Sequence, residues 1–249
     1  MKIVAAFVCV ALGWLELAGQ NPDMAPSGTT EALDRSRKAY AELRSYADSG
    51  TVVVENASKG VDLTTTRYTF RTYYRGPLHF FFEFNKDAVP GAAHYVAWGD
   101  TRGFHTWSPG FDTEAYPPGV TDPAFSFGGG LTLNTSLKVA PLLSRSDYPF
   151  SILNEFAAPK DTASENVDGR PCRKVEGLAR WHFLRPTKVV NARQVTIWID
   201  AETLLVRKVF EDTPKEHLTG DVHRVTTTFE PQANPGLDDS KFTFTPPKQ

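Results

Sequence analysis

The sequence predicts an α+β protein that is mainly antiparallel β, with an amino-terminal helix and a helical insert between its strands. The clearest observation lies in the last quarter of the chain, where runs of β-branched and aromatic residues are separated by short polar breaks. The runs are Gln194–Ile199, Leu204–Phe210 and Val222–Glu230, and Phe242–Phe244 closes the chain. Such a meander, repeated upstream, builds a curved sheet whose inner face can hold an apolar ligand.

A second observation is a change of period near residue 50. Residues Thr30–Asp48 carry apolar side chains such as Leu33 and Tyr40 at helical spacing, which predicts an amphipathic helix with Thr29 or Thr30 as its cap. Beyond this segment the pattern becomes that of strands. The predicted strands are Thr51–Glu55, Val61–Arg75 and Leu78–Asn85, with a turn at Gly76-Pro77.

The third of these strands is the most aromatic. Because side chains alternate between the two faces of a strand, Phe80, Phe82 and Phe84 share one face and lie opposite Phe81 and Glu83. With 17 Phe, 8 Tyr and 5 Trp, the chain has more aromatic surface than an ordinary core requires, although a large β core could absorb all of it.

Two hairpins are predicted from their turn residues. Ala92–Gly99 and Gly103–Ser108 form the first, with Trp98 and Trp107 on its two arms. The second turns at Asp168-Gly169, a strong hairpin signal. Its predicted arms are Ser164–Val167 and Pro171–Leu178.

A long segment rich in proline and glycine, Pro109–Gly130, separates the two groups of strands. Loops of this length in compact domains usually act as a lid or a binding element. Its candidate lid and hinge residues are Phe125, Phe127, Gly128, Gly129 and Gly130. Residues Leu131–Leu143 predict a second helix that Pro141 ends or kinks, and Asp147–Phe156 extends this helical insert.

Length and charge limit the classes of function. The chain has 249 residues, which suits one large β-rich domain, and its 27 Lys and Arg against 29 Asp and Glu give no basic excess for nucleic-acid binding. The amino terminus, Met1-Lys2 and then Ile3–Leu15, predicts a secretory signal peptide because Glu16 interrupts the apolar run before it reaches spanning length. The expected organisation is a signal peptide at 1–20, a linker at 21–28 and a single domain at 29–249.

Export and cysteine usage lead to two further expectations. The residues before Cys9 do not form a lipobox, so we expect a periplasmic or secreted protein without a lipid anchor. Cys172 is then the one cysteine of the mature chain, which excludes an internal disulfide. It is most simply a buried strand residue; a role as a nucleophile would require a nearby base.

No catalytic or metal-binding motif occurs, so we expect neither an enzyme nor a cofactor or metal. The chain has 6 His without the spacing of a metal site, and it has no Gly-x-Ser-x-Gly or phosphate-binding loop. His94 and His105 could meet across the first hairpin only if the strand register allowed it.

A basic cluster extends from Arg170 to Arg193. One interpretation is an ordinary solvated face. The other is a rim that attracts anionic lipid headgroups and makes transient contact with an anionic membrane surface. The candidate headgroup residues are Arg180, Arg185 and Lys188.

The order of elements carries a family resemblance. A helix ending in YAELRSY, long antiparallel strands, a central insert, the VDGRPCRKVEG and TIWIDAETLLVRKV hairpins and a final FTFTPP occur in this order. The chain thereby resembles the superfamily of the periplasmic lipoprotein carrier LolA, its receptor LolB and the mycobacterial lipoprotein LppX, and within it the uncharacterised secreted branch.

The resemblance implies an unclosed antiparallel β-barrel, with the helix and the insert covering the concave face. Acyl chains would occupy an apolar cavity there, and the implied function is an exported binder or carrier of lipids or lipidated proteins. The alternative is a periplasmic sensor or a protein- or peptide-interaction domain that uses the same concave sheet. The candidate cavity residues are Phe80, Phe82, Phe84, Trp98, Trp107 and Trp198.

LolA also has an arginine that bonds to its helical lid and couples opening to cargo. Arg67, Arg71 and Arg75 lie on suitable predicted strands, and the sequence does not distinguish between them. The resemblance leaves the oligomeric state undefined.

Overall fold

The computed structural model describes most of the chain after the predicted export signal. It covers residues 30–57, 62–76, 79–86, 95–100, 103–111, 113–116, 131–133, 135–144, 151–180, 192–213 and 222–247. Among these residues no helix is both long enough and apolar enough to cross a membrane.

One antiparallel sheet, with 12 strands among the described residues, dominates the fold. Its strands are β1 Tyr46–Ala57, β2 Thr64–Tyr74, β3 Phe80–Lys86, β4 Tyr95–Asp100, β5 Gly103–Trp107, β6 Glu114–Tyr116, β7 Phe156–Val167, β8 Arg170–Arg180, β9 Ala192–Asp200, β10 Val206–Thr213, β11 Val222–Phe229 and β12 Gln232–Ala233. Their order is β6-β5-β4-β3-β2-β1-β11-β10-β9-β8-β7, with β12 also paired to β1. Within the described part of the chain β6 and β7 do not pair with each other, so the sheet is an unclosed barrel, as predicted.

Helix α1 spans Glu31–Ala41 and begins at the predicted cap, Thr30, whose side chain accepts a hydrogen bond from the backbone N–H of Leu33 at 3.4 Å. The prediction that this helix continues to Asp48 is wrong. Residues 46–48 already pair with β2, so the sheet satisfies their backbone groups. Tyr46 and Asp48 therefore belong to β1.

The insert is less regular than predicted. Instead of one helix over Leu131–Leu143, it contains α2, Thr135–Lys138, and α3, Ala140–Ser144. Leu133 has a φ of +53°, which breaks the helical path before α2. Pro141 lies in the first turn of α3, where its missing N–H leaves no helical bond unmade. Residues 151–155 form turns rather than an extension of the helix, and Phe156 begins β7.

Other predicted boundaries change locally. The first strand after the helix begins at Tyr46 rather than Thr51, and β2 begins at Thr64 rather than Val61. The segment Pro109–Gly130 contains a strand, β6, which pairs with β5 and extends the sheet. Residues 239–242 form a 3-10 helix that ends at Phe242. The hairpin at Asp168 and Gly169 is confirmed, and the φ values of +49° and +78° are those of the tight turn that this pair favours.

The two faces of the sheet bury different cores. The inner face, which α1 and the insert cover, contributes the large cluster that runs from Phe104 on β5 to Val175 and Ala179 on β8. In the described part of the chain, the outer face carries two smaller clusters, one around Trp98 and Trp107 and one around Trp198. Because α1 and the insert lie on the inner face, any ligand site between sheet and helices must be lined by that face.

Candidate functional site: the inner face of the sheet

Three phenylalanines of the aromatic strand β3 share one face, as the alternation predicts, and this face is the inner one. Phe80, Phe82 and Phe84 all belong to the inner-face cluster, with exposures of 3%, 1% and 0%. Phe81, between them, lies on the outer face. The three phenyl rings are therefore completely covered in this structure.

Neighbouring strands extend these rings into an aromatic layer. The Tyr68 and Phe84 rings stack with centroids 5.1 Å apart, and the Phe80 and Phe104 rings stack at 5.3 Å. Phe82 lies between Phe70, at 6.2 Å, and Tyr95, at 6.4 Å. Four adjacent strands, β2 to β5, thus present aromatic rings to the helical side of the sheet.

Gly50 on β1 makes room for this layer. The ring of Phe70 lies directly over it, and a Cβ at this position would overlap both that ring and the carbonyl oxygen of Thr228. Phe229, opposite Gly50 on β11, meets the Phe70 ring edge-on at 5.3 Å. A residue without a side chain is required here for the aromatic layer to continue across β1.

Buried polar contacts attach α1 to the sheet. The hydroxyl of Tyr40 on α1 accepts a hydrogen bond from the backbone N–H of Val206 on β10 at 3.1 Å. Nearby, the hydroxyl of Tyr46 donates to Asp48 Oδ2 at 2.7 Å. Burial raises the pKa of Asp48 to about 6, against the lowering effect of its hydrogen bonds with Tyr46 and Thr72. At this end of the inner face, the hydroxyl of Tyr40 thus joins α1 to β10, and the hydroxyl of Tyr46 is hydrogen-bonded within β1.

A group of charged residues occupies the opposite strand ends of the inner face. We call it the charged corner, and its members are Lys138, Glu155, Arg193, Glu211 and His223. Lys138 on α2 donates to Glu211 Oε2 at 2.5 Å, and Arg193 Nη1 lies 3.0 Å from Glu211 Oε1. One carboxylate thus joins two cations, and the exposures of Lys138, Arg193 and Glu211 are only 3%, 8% and 3%.

Burial and charge act in opposite directions on the two acids of the charged corner. Burial alone would raise the pKa of Glu211, but the charges of Lys138 and Arg193 outweigh it and hold that pKa below its usual value. For Glu155 the effect of burial is the larger one, and it raises the pKa to about 8 in spite of the lowering effect of Arg193. Burial, with the charge of Arg193, also lowers the pKa of His223. At neutral pH, Glu211 is ionised and Glu155 is mostly protonated.

The three tryptophans expected to line the same cavity lie on the outer face instead. Trp98 pairs with Phe81 in register, so it faces away from Phe80 and Phe82, and Trp107 lies beside it. The Phe244 ring covers both indoles at 5.1 and 5.4 Å. These side chains are therefore not part of the helix-covered site.

Trp198 also faces outward, away from Ile197 and Ile199 on the same strand. Its indole N–H donates to Glu165 at 3.1 Å, and the Lys208 ammonium lies 4.6 Å from its ring centroid. The sequence left the direction of Trp198 open, and the strand register places it on the outer face.

The arginines considered as lid partners are on the outer face too. Arg71 pairs with Glu83 and lies over the Phe81 ring, whereas Arg75 pairs with Asp239 and donates to the carbonyl oxygen of Leu237 at 2.8 Å. Neither can reach the helices that cover the inner face. Arg67 shares their face by alternation.

Several predicted site residues cannot be placed on either face. The lid and hinge candidates at 125 and 127–130 lie outside the described residues, as do Arg185 and Lys188. Arg180 ends β8, and its side chain is outside the described part. Of the basic cluster, Arg193 is buried and Arg173 is exposed, so the cluster is not one uniform solvated face.

Cys172 is a buried strand residue, as predicted. It is 1% exposed, and burial raises the pKa of its thiol. The described residues contain no group of His, Cys, Asp and Glu arranged to hold a metal ion. His105 stacks on Trp98 at 5.1 Å, on the outer face, and His94 lies outside the described residues.

The architecture defines the class of protein: an unclosed antiparallel barrel whose inner face is covered by an amino-terminal helix and a helical insert. No protein-family model matches the chain, and no curated protein matches it.

Solved structures do resemble this chain. LprF from Mycobacterium bovis is 14% identical, with 86% of this chain and 98% of LprF covered and a TM-score of 0.46. The lipoprotein LppX from Mycobacterium tuberculosis is 14% identical, with 84% and 96% covered and a TM-score of 0.43. A LolA superfamily protein from Nitrosomonas europaea is 10% identical, with 86% and 96% covered and a TM-score of 0.31. Likenesses at this level do not assign a function.

Proposed function

We propose that the protein is an exported binder or carrier of lipids or lipidated proteins, which takes acyl chains between the inner face of the sheet and its helical cover. The observation that carries this proposal is the aromatic layer of β2 to β5, centred on Phe80, Phe82 and Phe84. Helix α1 and the short helices and turns of the insert share one buried cluster with this layer. The proposal involves no catalytic step.

The driving force is transfer of acyl chains from water to an apolar surface. Each buried methylene contributes about 0.8 kcal/mol, so a long acyl chain offers a large favourable term. Since the phenyl rings are covered in this structure, the cover must move for a chain to enter. Helices as short as α2 and α3, with 4 and 5 residues, have little stability of their own and separate from the sheet at a lower cost than strand separation.

Polar contacts join the separate parts of the cover to one another. Arg37 on α1 donates from Nε to the side-chain oxygen of Asn154 at 2.8 Å, and from Nη2 to the carbonyl oxygen of Leu153 at 2.5 Å. The backbone N–H of Ile152 donates to the carbonyl oxygen of Lys138 at 3.1 Å. Helix α1, the turns at 151–155 and α2 are thus linked, which supports a cover that moves as one unit.

In this proposal the segment around Phe125 and Phe127, with the Gly128–Gly130 hinge, serves as a lid. Arg180, Arg185 and Lys188 serve as a rim for anionic headgroups at a membrane surface. Replacing these three cations by Glu should weaken binding to anionic liposomes at low salt, with neutral liposomes as the control. Unchanged binding would remove the rim from the proposal.

The deciding experiment is native mass spectrometry of the protein purified from the periplasm of its own host, followed by organic extraction. A stoichiometric lipid, or uptake of one lipid per chain from added micelles, is the expected result. A clean apo mass that takes up no added lipid would overturn the proposal and favour the sensor or protein-interaction alternative.

A further inference from the structure

The connection between α1 and β1 consists of residues 42–45, and its first half continues the hydrogen bonding of the helix. The backbone N–H of Glu42 donates to the carbonyl oxygen of Lys38 at 3.1 Å, and that of Leu43 donates to the carbonyl oxygen of Tyr40 at 3.3 Å. The side chain of Leu43 also packs against the inner-face cluster. The last turn of α1 therefore extends to Leu43, which leaves two residues between the helix and β1.

These two residues are held by Asn234, which follows β12. The side-chain oxygen of Asn234 accepts from the backbone N–H of Arg44 at 2.8 Å and from that of Ser45 at 3.3 Å. The backbone N–H of Asn234 donates to the carbonyl oxygen of Ser45 at 2.9 Å, and the Ser45 hydroxyl donates to the carbonyl oxygen of Pro235 at 2.7 Å. We call these four hydrogen bonds the hinge clamp. Helix α1 cannot pivot about the connection unless the hinge clamp breaks or the last helical turn unwinds.

Of these two, the hinge clamp is the easier to break. Asn234 and Arg44 are exposed, so water can replace their hydrogen bonds when they separate. The last helical turn, in contrast, includes Tyr40, which is 1% exposed and is hydrogen-bonded to β10. Asn234 has a φ of +53°, which asparagine and glycine adopt more readily than most residues. The hinge clamp is therefore the point at which movement of α1 relative to β1 should begin.

The hinge clamp is one end of a segment on the outer face, residues 234–244, which we call the strap. Arg75 donates to the carbonyl oxygen of Leu237 at 2.8 Å and lies over the ring of Phe242, which is 3% exposed. The ring of Phe244 covers the two tryptophans of β4 and β5. The strap therefore joins the aromatic cluster of the outer face to the connection from which the inner cover would swing.

From this arrangement we infer that the strap regulates the opening of the inner cover. The docked strap keeps the hinge clamp closed and α1 on the aromatic layer, and release of Asn234 frees α1 to move. Because Tyr40 and Arg37 also attach α1, release of the hinge clamp shifts the equilibrium towards the open state without opening the cover completely. The effect on ligand binding rests on the proposed function, whereas the movement of α1 can be tested without a ligand.

The first test compares two substitutions of Asn234. Asn234→Gly removes the side-chain acceptor and keeps the left-handed backbone, whereas Asn234→Asp keeps an oxygen acceptor at the same position. We expect hydrogen exchange at residues 35–41 to be about fivefold faster in the glycine variant, the effect of about one net hydrogen bond, and unchanged in the aspartate variant. Exchange in β9 and β10 should be the same in all proteins. Equal exchange of α1 in the two variants would overturn the inference.

Asp168→Gly is the matched control. Asp168 is exposed and has a φ of +49° in the β7–β8 hairpin, so this variant also replaces an exposed, left-handed residue by glycine. Exchange in α1 should equal that of the wild type. Equally fast exchange of α1 in Asp168→Gly and Asn234→Gly would show a general loss of stability and would overturn the inference.

A further variant tests the half of the strap that lies on the outer face. Arg75→Met keeps a long side chain and removes the hydrogen bond to Leu237 and the ion pair with Asp239. Because the hold on the strap is weakened, exchange of α1 should again be faster than in the wild type. Unchanged exchange would overturn the role of the outer face in the regulation.

The last test connects the hinge clamp to the proposed function. If only the open state binds, the apparent affinity depends on the open fraction, so 11-(dansylamino)undecanoic acid should bind Asn234→Gly about fivefold more tightly than the wild type in a fluorescence titration. Asn234→Asp should bind as the wild type does. Equal affinities of all three proteins would overturn the regulation and leave the proposed function intact. Binding to none of them would overturn the proposed function, and hydrogen exchange would still decide whether the hinge clamp controls α1.

Discussion

The two faces of the sheet around β3 are both aromatic and both buried, but they are covered in different ways. Phe82 lies under the helical side, with rings from neighbouring strands around it, whereas Phe81 lies under the carboxy-terminal segment with Trp98 and Phe242. The outer cover is held by the Arg75–Asp239 ion pair and by Arg75 over the Phe242 ring at 5.2 Å. Aromatic burial by itself therefore does not identify a ligand face, and our proposal of the inner face depends on the nature of its cover.

The most direct test of the difference between the two faces is to truncate one ring on each face. Phe82→Ala and Phe81→Ala should each lower the free energy of unfolding by about 3–5 kcal/mol, because both remove a buried ring. Only Phe82→Ala should also change the affinity for an acyl-chain probe. Urea unfolding and probe titration measure the two effects. An equal change in probe affinity for both variants would show that the two faces do not differ in function.

A second prediction concerns the close packing at Gly50. Gly50→Ala should lower the free energy of unfolding by about 2–3 kcal/mol, because the added methyl group overlaps the Phe70 ring and the backbone of Thr228. Gly236→Ala is the matched control, since a Cβ there meets no atom within 4 Å. Urea denaturation of both variants measures the difference. A Gly50→Ala protein as stable as the control would contradict the packing described for the inner face.

The charged corner predicts a pH dependence of stability. Glu155 loses its proton near pH 4.5 in the unfolded chain and near pH 8 in the folded protein. Between these values the folded state holds the extra proton, so the free energy of unfolding falls as pH rises, by up to about 1.4 kcal/mol per pH unit. His223, whose folded pKa is lowered, acts in the opposite direction below pH 6.5.

The contribution of Glu155 is obtained as the difference between wild type and Glu155→Gln in urea unfolding from pH 5 to 8. His223 and the partners Lys138, Arg193 and Glu211 remain in both proteins. The wild type should lose stability with rising pH relative to the variant. Parallel curves would mean that Glu155 titrates at its ordinary pKa in the folded protein.

The smallest expected effect is at the cap of α1. Thr30→Ala removes the side-chain acceptor for the Leu33 N–H and should cost about 1 kcal/mol, while Thr30→Ser keeps the acceptor and most of the stability. Hydrogen exchange of residues 31–41 measures the local effect. Equal protection in both variants would show that the cap does not stabilise the inner cover.

Local signals made much of the fold predictable. The Asp168-Gly169 turn, the alternation of Phe80, Phe82 and Phe84 and the cap at Thr30 each depend on a few adjacent residues, and the structure confirms them. The helix was predicted too long because the alanines of the helical pattern continue to Ala47, whereas pairing with β2, a contact distant in sequence, makes residues 46–48 strand.

The direction of the tryptophans could not be predicted, because alternation fixes which residues share a face and not which face the helices cover. The charged corner was missed for a related reason. Arg193 has the same strand parity as Val195 and Ile197, and Glu211 has the same parity as Val209, so the strand pattern places both charges on the face of these apolar residues. Their partner Lys138 comes from the insert, which is distant in sequence. The pattern of the strands alone therefore could not predict the cluster.

Cys172 offers an independent probe of the outer face. Because the Cys172 thiol is 1% exposed and its pKa is raised by burial, it should react with a thiol reagent only when β8 separates from its neighbours. The labelling rate then reports separation of β8 from the strands beside it, and it should stay constant during the opening of the inner cover that the proposed function requires. The rate at which the sheet opens can thus be measured separately from the rate at which its helical cover opens, in the same protein.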